Sequence, residues 1–291
     1  MNIKANLKRG LVILISPLKI FVKNRKVYIL RVDGGICSQI KQYIVGKYLT
    51  EKGNEVFYNL DWYRKEGVDL DGKYPRNFEL TKMFRDIDIE DHHISKAYFW
   101  LLKLLYYNLP GETLDVKEIK AAPQFLDGYY IISDLNERKR LEQKYLMPYN
   151  PVQILDEANI KVYNLIKEQH RSVGVHIRRG DMSKDGLSPD YYIKAMHLEA
   201  FRSAGFFLFS DEISWIVDYI EPHIQDLSYR IVDINDSSSG WRDLYLIMQC
   251  DHFIASQGTM AKMAYELKND ANSIIVLPDY YKEGGFQGLP F

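Results

Sequence analysis

Residues 173–182 read VGVHIRRGDM. The run from Val173 to Val175 has the uninterrupted apolar character of a strand buried on both faces. His176, Ile177, Arg178, Arg179, Gly180 and Asp181 then place an imidazole, two guanidinium groups and a carboxylate in succession. Neighbouring strand residues point to opposite faces, so two adjacent arginines serve one ligand only where the strand has ended and the chain is turning. Gly180 is expected to supply that turn. A guanidinium fork matches phosphate oxygens bidentately and keeps its charge at any physiological pH. The expected division of labour is one arginine on a diphosphate and the other braced, with Asp181, against the loop. The competing account is an Arg–Asp pair that locks a loop and binds nothing.

The pattern outward from this stretch is regular. LDEANIKVYNLIKEQ (155–169) predicts a helix before the strand, and Ser188-Pro189 caps a helix over 190–205. Strands are expected in FFLFSD (206–211), YRIVDIND (229–236), HFIAS (252–256) and SIIVLPD (273–279). Helices in EISWIVDYIEP, SGWRDLYLIMQC and GTMAKMAYELKN separate them. Strands alternating with helices in this way predict a doubly wound parallel sheet. Toward the N-terminus, VYILRVDGG, SQIKQYIVGKYLTEKG and NEVFYNLDW predict a β-α-β unit. An aromatic, leucine-rich helix is expected near 98–109, and a strand in GYYIISD (128–134). The reading is therefore two α/β lobes, 27–150 and 151–291, behind a basic N-terminal segment, 1–26.

Ligands of open α/β sheets sit beyond the carboxyl ends of the strands. Those ends carry Asp33-Gly34-Gly35, His176 to Asp181, Ser210-Asp211-Glu212, Asp233 to Asp236, and Ser256-Gln257-Gly258-Thr259. The last group opens a helix, where backbone N–H groups and hydroxyls suit an anion. Gly34-Gly35 lacks the third glycine of the dinucleotide fingerprint, and no Walker loop or GxSxG elbow is present, so NAD, FAD, P-loop and serine-hydrolase chemistry are excluded. Adjacent His92-His93 suits no standard zinc geometry, and the Asp-x-Asp pairs at 69–71 and 86–88 lie among turn residues where aspartates serve local needs.

With 38 basic and 39 acidic residues the net charge is −1, which disfavours a nucleic-acid partner. Two cysteines, Cys37 and Cys250, make no disulfide framework and suit a reducing compartment. Residues 1–26 hold seven basic residues and no acid, with Leu7, Leu11, Leu14 and Leu18 at helical spacing. That suits a helix lying on an anionic membrane surface. The apolar run, broken by Pro17 and Lys19, is too short to span one.

HIRRGD at 176–181 resembles the HxRRGD signature of the α-1,2-fucosyltransferases of glycosyltransferase family 11. Four further segments resemble that family's in order: DGGICSQIKQYIVGKYL (33–49), FLDGYYIISD (125–134), LFSDEISWI (208–216), with a tryptophan after its Phe-Ser-Asp, and DLYLIMQCDHFIASQGTMAKMAYEL (243–267). The resemblance covers about residues 27 to 280. It implies a GT-B-like fold of two Rossmann-like lobes with mainly parallel sheets, the donor-binding lobe C-terminal. It implies GDP-L-fucose as donor, inversion at the fucose carbon, and neither cofactor nor metal.

The acceptor it implies is O2 of a galactoside in an oligosaccharide or lipid-linked glycan, as in surface polysaccharide synthesis. Such an enzyme would be cytoplasmic, at the inner face of the membrane if residues 1–26 bind it. Carried over by position, His176, Arg178, Arg179, Gly180, Ser210, Asp211, Ser256, Gln257, Gly258 and Thr259 face the donor. Arg178 and Arg179 meet the diphosphate, and Asp181 or Asp33 is the candidate base. Gly34, Gly35, Ser38 and Gln39 form the N-lobe loop. The sequence departs from the family at Cys37-Ser38 for Gly-Asn, Ile131-Ile132 for Trp-Gln, Gln257-Gly258 for Asn-Ser, and Met260 to Met263 for an aromatic run. Those changes bear on the acceptor more than on the diphosphate. Two rival readings are a transferase of another nucleotide sugar and a binding module without catalysis.

Overall fold

The computed structural model describes residues 27–68, 72, 74–89, 91, 113–119, 124–126, 129–146, 155–180, 186–279 and 286–287. The basic segment 1–26, His92-His93 and the helix expected at 98–109 lie outside the described residues. The chain divides into one compact unit of residues 1–67 and 86–148 and a second of 68–85 and 149–291.

In the first unit the expected β-α-β start is present. β1 (Val27–Arg31) leads through α1 (Ile36–Glu51) to β2 (Glu55–Asn59), parallel in register from Val27↔Glu55 to Arg31↔Asn59. α2 (Asp61–Lys65) follows, and α3 (Leu80–Met83) belongs to the second unit. β3 (Thr113–Asp115), β4 (Gln124–Leu126) and β5 (Tyr129–Ile131) are each three residues long, and α4 (Leu135–Leu146) comes after them. β4 extends the main sheet in the order β2-β1-β4. The strand expected in GYYIISD exists as β5, but it pairs with β3 in a separate two-stranded sheet.

The second unit follows the alternation. α5 (Glu157–Glu168) precedes β6 (Ser172–Ile177), whose six residues are all buried, as the opening motif predicts. α6 (Pro189–Met196), β7 (Gly205–Ser210), α7 (Ile213–Tyr219), β8 (Ser228–Val232), α8 (Gly240–Gln249), β9 (His252–Ile254), α9 (Met260–Lys268), β10 (Ile275–Pro278) and β11 (Phe286–Gln287) complete it. The sheet order is β11-β10-β9-β6-β7-β8, parallel throughout except for β11.

The helix expected over 190–205 stops at Met196. A single 3₁₀ turn at Glu199–Phe201 then buries Phe201, and Ser203 takes a left-handed φ of 61° before β7. On one face of the sheet Val173, Val175, Ile177, Phe206 and Leu208 pack against Tyr191, Tyr192, Trp215 and Ile216. On the other, α8 approaches β6 so closely that a Cβ on Gly174 would stand 3.2 Å from Ile247 and 3.3 Å from the Cys250 sulfur. Cys37 and Cys250 are both buried and unbridged. Among the described residues no helix is long and apolar enough to cross a membrane.

Residues 68–85 fall in the 27–150 lobe by the sequence reading, whereas the structure gives them to the second unit. The reason is burial. Leu80 and Met83 are 0% and 1% exposed on α3, which packs on α8. Asn77 Nδ2 donates to the Ser238 carbonyl at 3.4 Å. The Glu79 carboxylate is buried and accepts the backbone N–H of Trp241. Burial, reinforced by nearby Asp243, pushes the Glu79 carboxyl up to about 7, against the Trp241 N–H and the cations Lys82 and Arg76. A carboxyl raised in the folded state binds more protons than in the unfolded chain between its ordinary value, near 4.3, and the raised one. Its contribution to stability is therefore lost as pH rises through that window. Glu79→Gln, fixed in the neutral form, should gain little in urea stability at pH 4, gain progressively to about pH 7 and level off above. An equal gain at pH 4 and pH 8 would contradict the assignment.

Candidate functional site

From β6 the chain runs through β7 and β8 to one side, and β9 and β10 fill the other. The topological switch point thus lies between the carboxyl ends of β6 and β9, the place where open α/β sheets bind ligands. Both ends carry residues singled out in the sequence, and the structure brings them together. His176 Nδ1 and Ser256 Oγ share a hydrogen bond of 3.1 Å, and Ser256 Oγ also accepts the Gly258 N–H at 3.1 Å. Gln257 Nε2 donates to the Arg178 carbonyl at 3.4 Å. A Cβ on Gly258 would stand 3.4 Å from both Arg178 Cβ and His176 Cε1, so the β9–α9 turn rests directly on the end of β6.

His176 is buried, and burial with the neighbouring Arg178 charge holds its imidazole down at about 3. It is neutral at physiological pH and works as a clasp between two loops. Thr259 is exposed and stands at the N-cap of α9 without a side-chain capping bond, and the first turn of α9 carries no acid.

The two arginines are held differently. The Arg178 guanidinium pairs with the Asp211 carboxylate, and the other oxygen of Asp211 accepts the Arg179 backbone N–H at 2.8 Å. Asp211 thus braces both arginines; Asp181, of which the same bracing is expected, lies outside the described residues. Gly180 is small for the same reason. A Cβ there would come within 2.6 Å of Asp211 Oδ2, and Gly180 is not among the positive-φ glycines, so close approach rather than turn geometry requires it. Ser210, expected to face the donor, accepts the Glu212 N–H on its Oγ at 3.0 Å.

Arg179 sends its side chain the other way. Its Cζ lies 4.5 Å from the Trp215 ring centroid, inside cation–π range. Its Nε stands 3.9 Å from Glu212 Oε2 and finds no hydrogen-bond partner among the described residues. Arg179 is thus fixed through its face on the β7 side of the β6 end, with no side-chain hydrogen bond among the described residues.

In the first unit, Gly34 takes φ +73°, a conformation that favours glycine, and Gly35 caps α1. Gln39 Nε2 and Tyr63 Oη both donate to the Gly34 carbonyl, at 3.2 and 2.9 Å. Ser38 lies beside this loop, its Oγ 3.0 Å from where a Gly34 Cβ would stand. Gln42 exchanges two hydrogen bonds with Asp33, one to its backbone and one to its carboxylate. The sequence reading missed Gln42, Tyr63 and the ring under Arg179. Of these only Trp215 left a signal, as the tryptophan following Phe-Ser-Asp.

The glycosyl transferase family 11 model matches residues 75–285. The chain belongs to that family. No curated protein matches it in sequence. Among solved structures it is similar to NodZ α-1,6-fucosyltransferase soaked with GDP-fucose, at 14% identity and TM-score 0.55. It is also similar to NodZ co-crystallised with GDP and to the selenomethionine form of the fucosyltransferase NodZ from Bradyrhizobium, each at 15% identity and TM-score 0.57. Each match covers 91% of this chain and 98% of the other. At that identity the likeness shows the fold, which is GT-B-like with mainly parallel sheets.

The two carboxylates beside the arginines should differ in weight. Asp211→Ala removes a carboxylate from the half-buried Arg178 guanidinium and the acceptor of the Arg179 N–H, and should cost about 1–3 kcal/mol in a denaturation experiment. Glu212→Ala removes only a contact at 3.9 Å and should change stability little. Equal costs would contradict the bracket.

Proposed function

We propose that this protein is an inverting fucosyltransferase that moves L-fucose from GDP-β-L-fucose to a glycan hydroxyl. The observation that carries the reading is Arg179, held just past the carboxyl end of β6 by its backbone N–H and its face while its side chain makes no hydrogen bond among the described residues. Against Arg178 and His176, the β9–α9 turn offers backbone N–H groups at the start of a helix. Together they suit a diphosphate. The donor is chosen by family membership and by structurally similar proteins whose complexes contain GDP-fucose and GDP.

In the reaction the acceptor oxygen attacks the fucose anomeric carbon as the bond from that carbon to the β-phosphate oxygen breaks. The acceptor proton passes to a base, and GDP leaves with an added negative charge. Arg179 faces that charge directly. Arg178, neutralised by Asp211, fixes the loop and adds a longer-range field. Asp33 is the proposed base; it is set against Gln42 at the end of β1. Asp181 is the alternative. The HIRRGD segment supports O2 of a galactoside as the acceptor position, whereas the α-1,6 linkage belongs to NodZ. We further propose that no metal takes part, since the arginines supply positive charge at the leaving group, and that residues 1–26 hold the enzyme on an anionic membrane.

The test is turnover of GDP-fucose with a panel of galactosides, the linkage read by NMR, with UDP and dTDP sugars in parallel. Transfer from GDP-fucose that survives EDTA supports the reading. Preference for another nucleotide sugar would replace the donor, and binding without transfer or hydrolysis would reduce the protein to a binding module. Arg179→Ala should lower kcat/KM by about 30- to 1,000-fold, the range for losing a donor that stabilises developing charge at about 2–4 kcal/mol. Unchanged kcat/KM would remove Arg179 from the diphosphate.

A further inference from the structure

We infer that Trp215 is the residue that positions Arg179 for the diphosphate, an inference that rests on the function proposed above. Two adjacent guanidinium groups at one strand end repel each other and need separate restraints. Arg178 is restrained by a carboxylate, which takes its Nη1 donor and neutralises its charge. The same restraint on Arg179 would defeat its purpose, since a paired guanidinium offers an incoming phosphate less charge and fewer N–H groups. A ring face solves this differently. It attracts the cation and fixes its plane without consuming an N–H donor. The Arg179 Cζ stands 4.5 Å from the Trp215 centroid, and its carboxylate neighbour, Glu212, stays at 3.9 Å.

The platform is itself fixed. Trp215 is 8% exposed on α7 and meets Tyr192 edge-on at 6.2 Å and 79°. Tyr192 meets Tyr191 edge-on at 4.9 Å and 78°. The Tyr191 hydroxyl donates to the Ala255 carbonyl at 2.7 Å, one residue before the Ser256 turn. Three rings thus link the platform under Arg179 to the β9–α9 turn on the other side of the switch point.

The experiment is a double-mutant cycle on the full-length protein, with GDP affinity read by calorimetry in wild type, Trp215→Leu, Arg179→Ala and the double variant. Trp215→Leu should weaken GDP binding on the order of tenfold when Arg179 is present and by less than about twofold when it is absent. Trp215→Phe, which keeps a ring face, should restore most of the affinity. An equal cost in both backgrounds, no cost in wild type, or no rescue by phenylalanine would overturn the inference while leaving the diphosphate role of Arg179 intact. GDP affinity unchanged in Arg179→Ala would overturn the proposed role itself. Should Trp215→Leu not fold, Trp215→Met, whose flexible chain adapts to the gap without offering a ring, enters the cycle in its place.

Discussion

The site depends on one carboxylate. Asp211, at the end of β7, takes the Arg178 guanidinium on one oxygen and the Arg179 backbone N–H on the other. These contacts fix the direction of the chain as it leaves β6. Because Asp211 binds the backbone of the second arginine and the side chain of the first, the two guanidinium groups must diverge. One is neutralised by a close carboxylate, and the other lies on the Trp215 ring with its nearest carboxylate, Glu212, at 3.9 Å. Gly180 has no side chain because Asp211 occupies the space where one would go. The ion pair is half-buried, so it is screened less than a surface pair and acts mainly as a geometric device.

A second constraint is the contact between the β6 and β9 loops. His176 is kept neutral by burial and by the adjacent arginine, so it can pack against the Ser256 turn without adding a third positive charge. With Gly258 closing the turn on Arg178, the N-terminus of α9 and the end of β6 become one surface. The charge arrangement is economical. Arg178 is paired and His176 is neutral at the turn, while Arg179 lies on a ring face on the β7 side with Glu212 at 3.9 Å.

Much of this was legible in the sequence because it rests on local rules. The buried run of β6, the Ser-Pro start of α6 and the alternation of apolar strands with amphipathic helices fixed the second unit and placed its strand ends. What escaped depends on contacts between residues far apart in the chain. Asp211 looks like a strand-end acid until the sheet order sets β7 beside β6. Trp215 looks like a core residue until Arg179 lies on it. The capture of residues 68–85 by α8 has no local signature, because Leu80 and Met83 form only one short turn of helix. Their burial is decided by a surface more than 150 residues away in sequence. The three-residue strands β3 and β4 are likewise too short for alternation to declare them.

The proposed function requires a nucleotide diphosphate at the carboxyl end of β6, bound by Arg179. A crystal structure of the protein with GDP tests it most directly. The account predicts diphosphate oxygens within hydrogen-bond distance of the Arg179 guanidinium and of the backbone N–H groups that open α9, with Arg178 still on Asp211 and Arg179 still on Trp215. A diphosphate bound elsewhere, with Arg179 making no contact to it, would contradict the account.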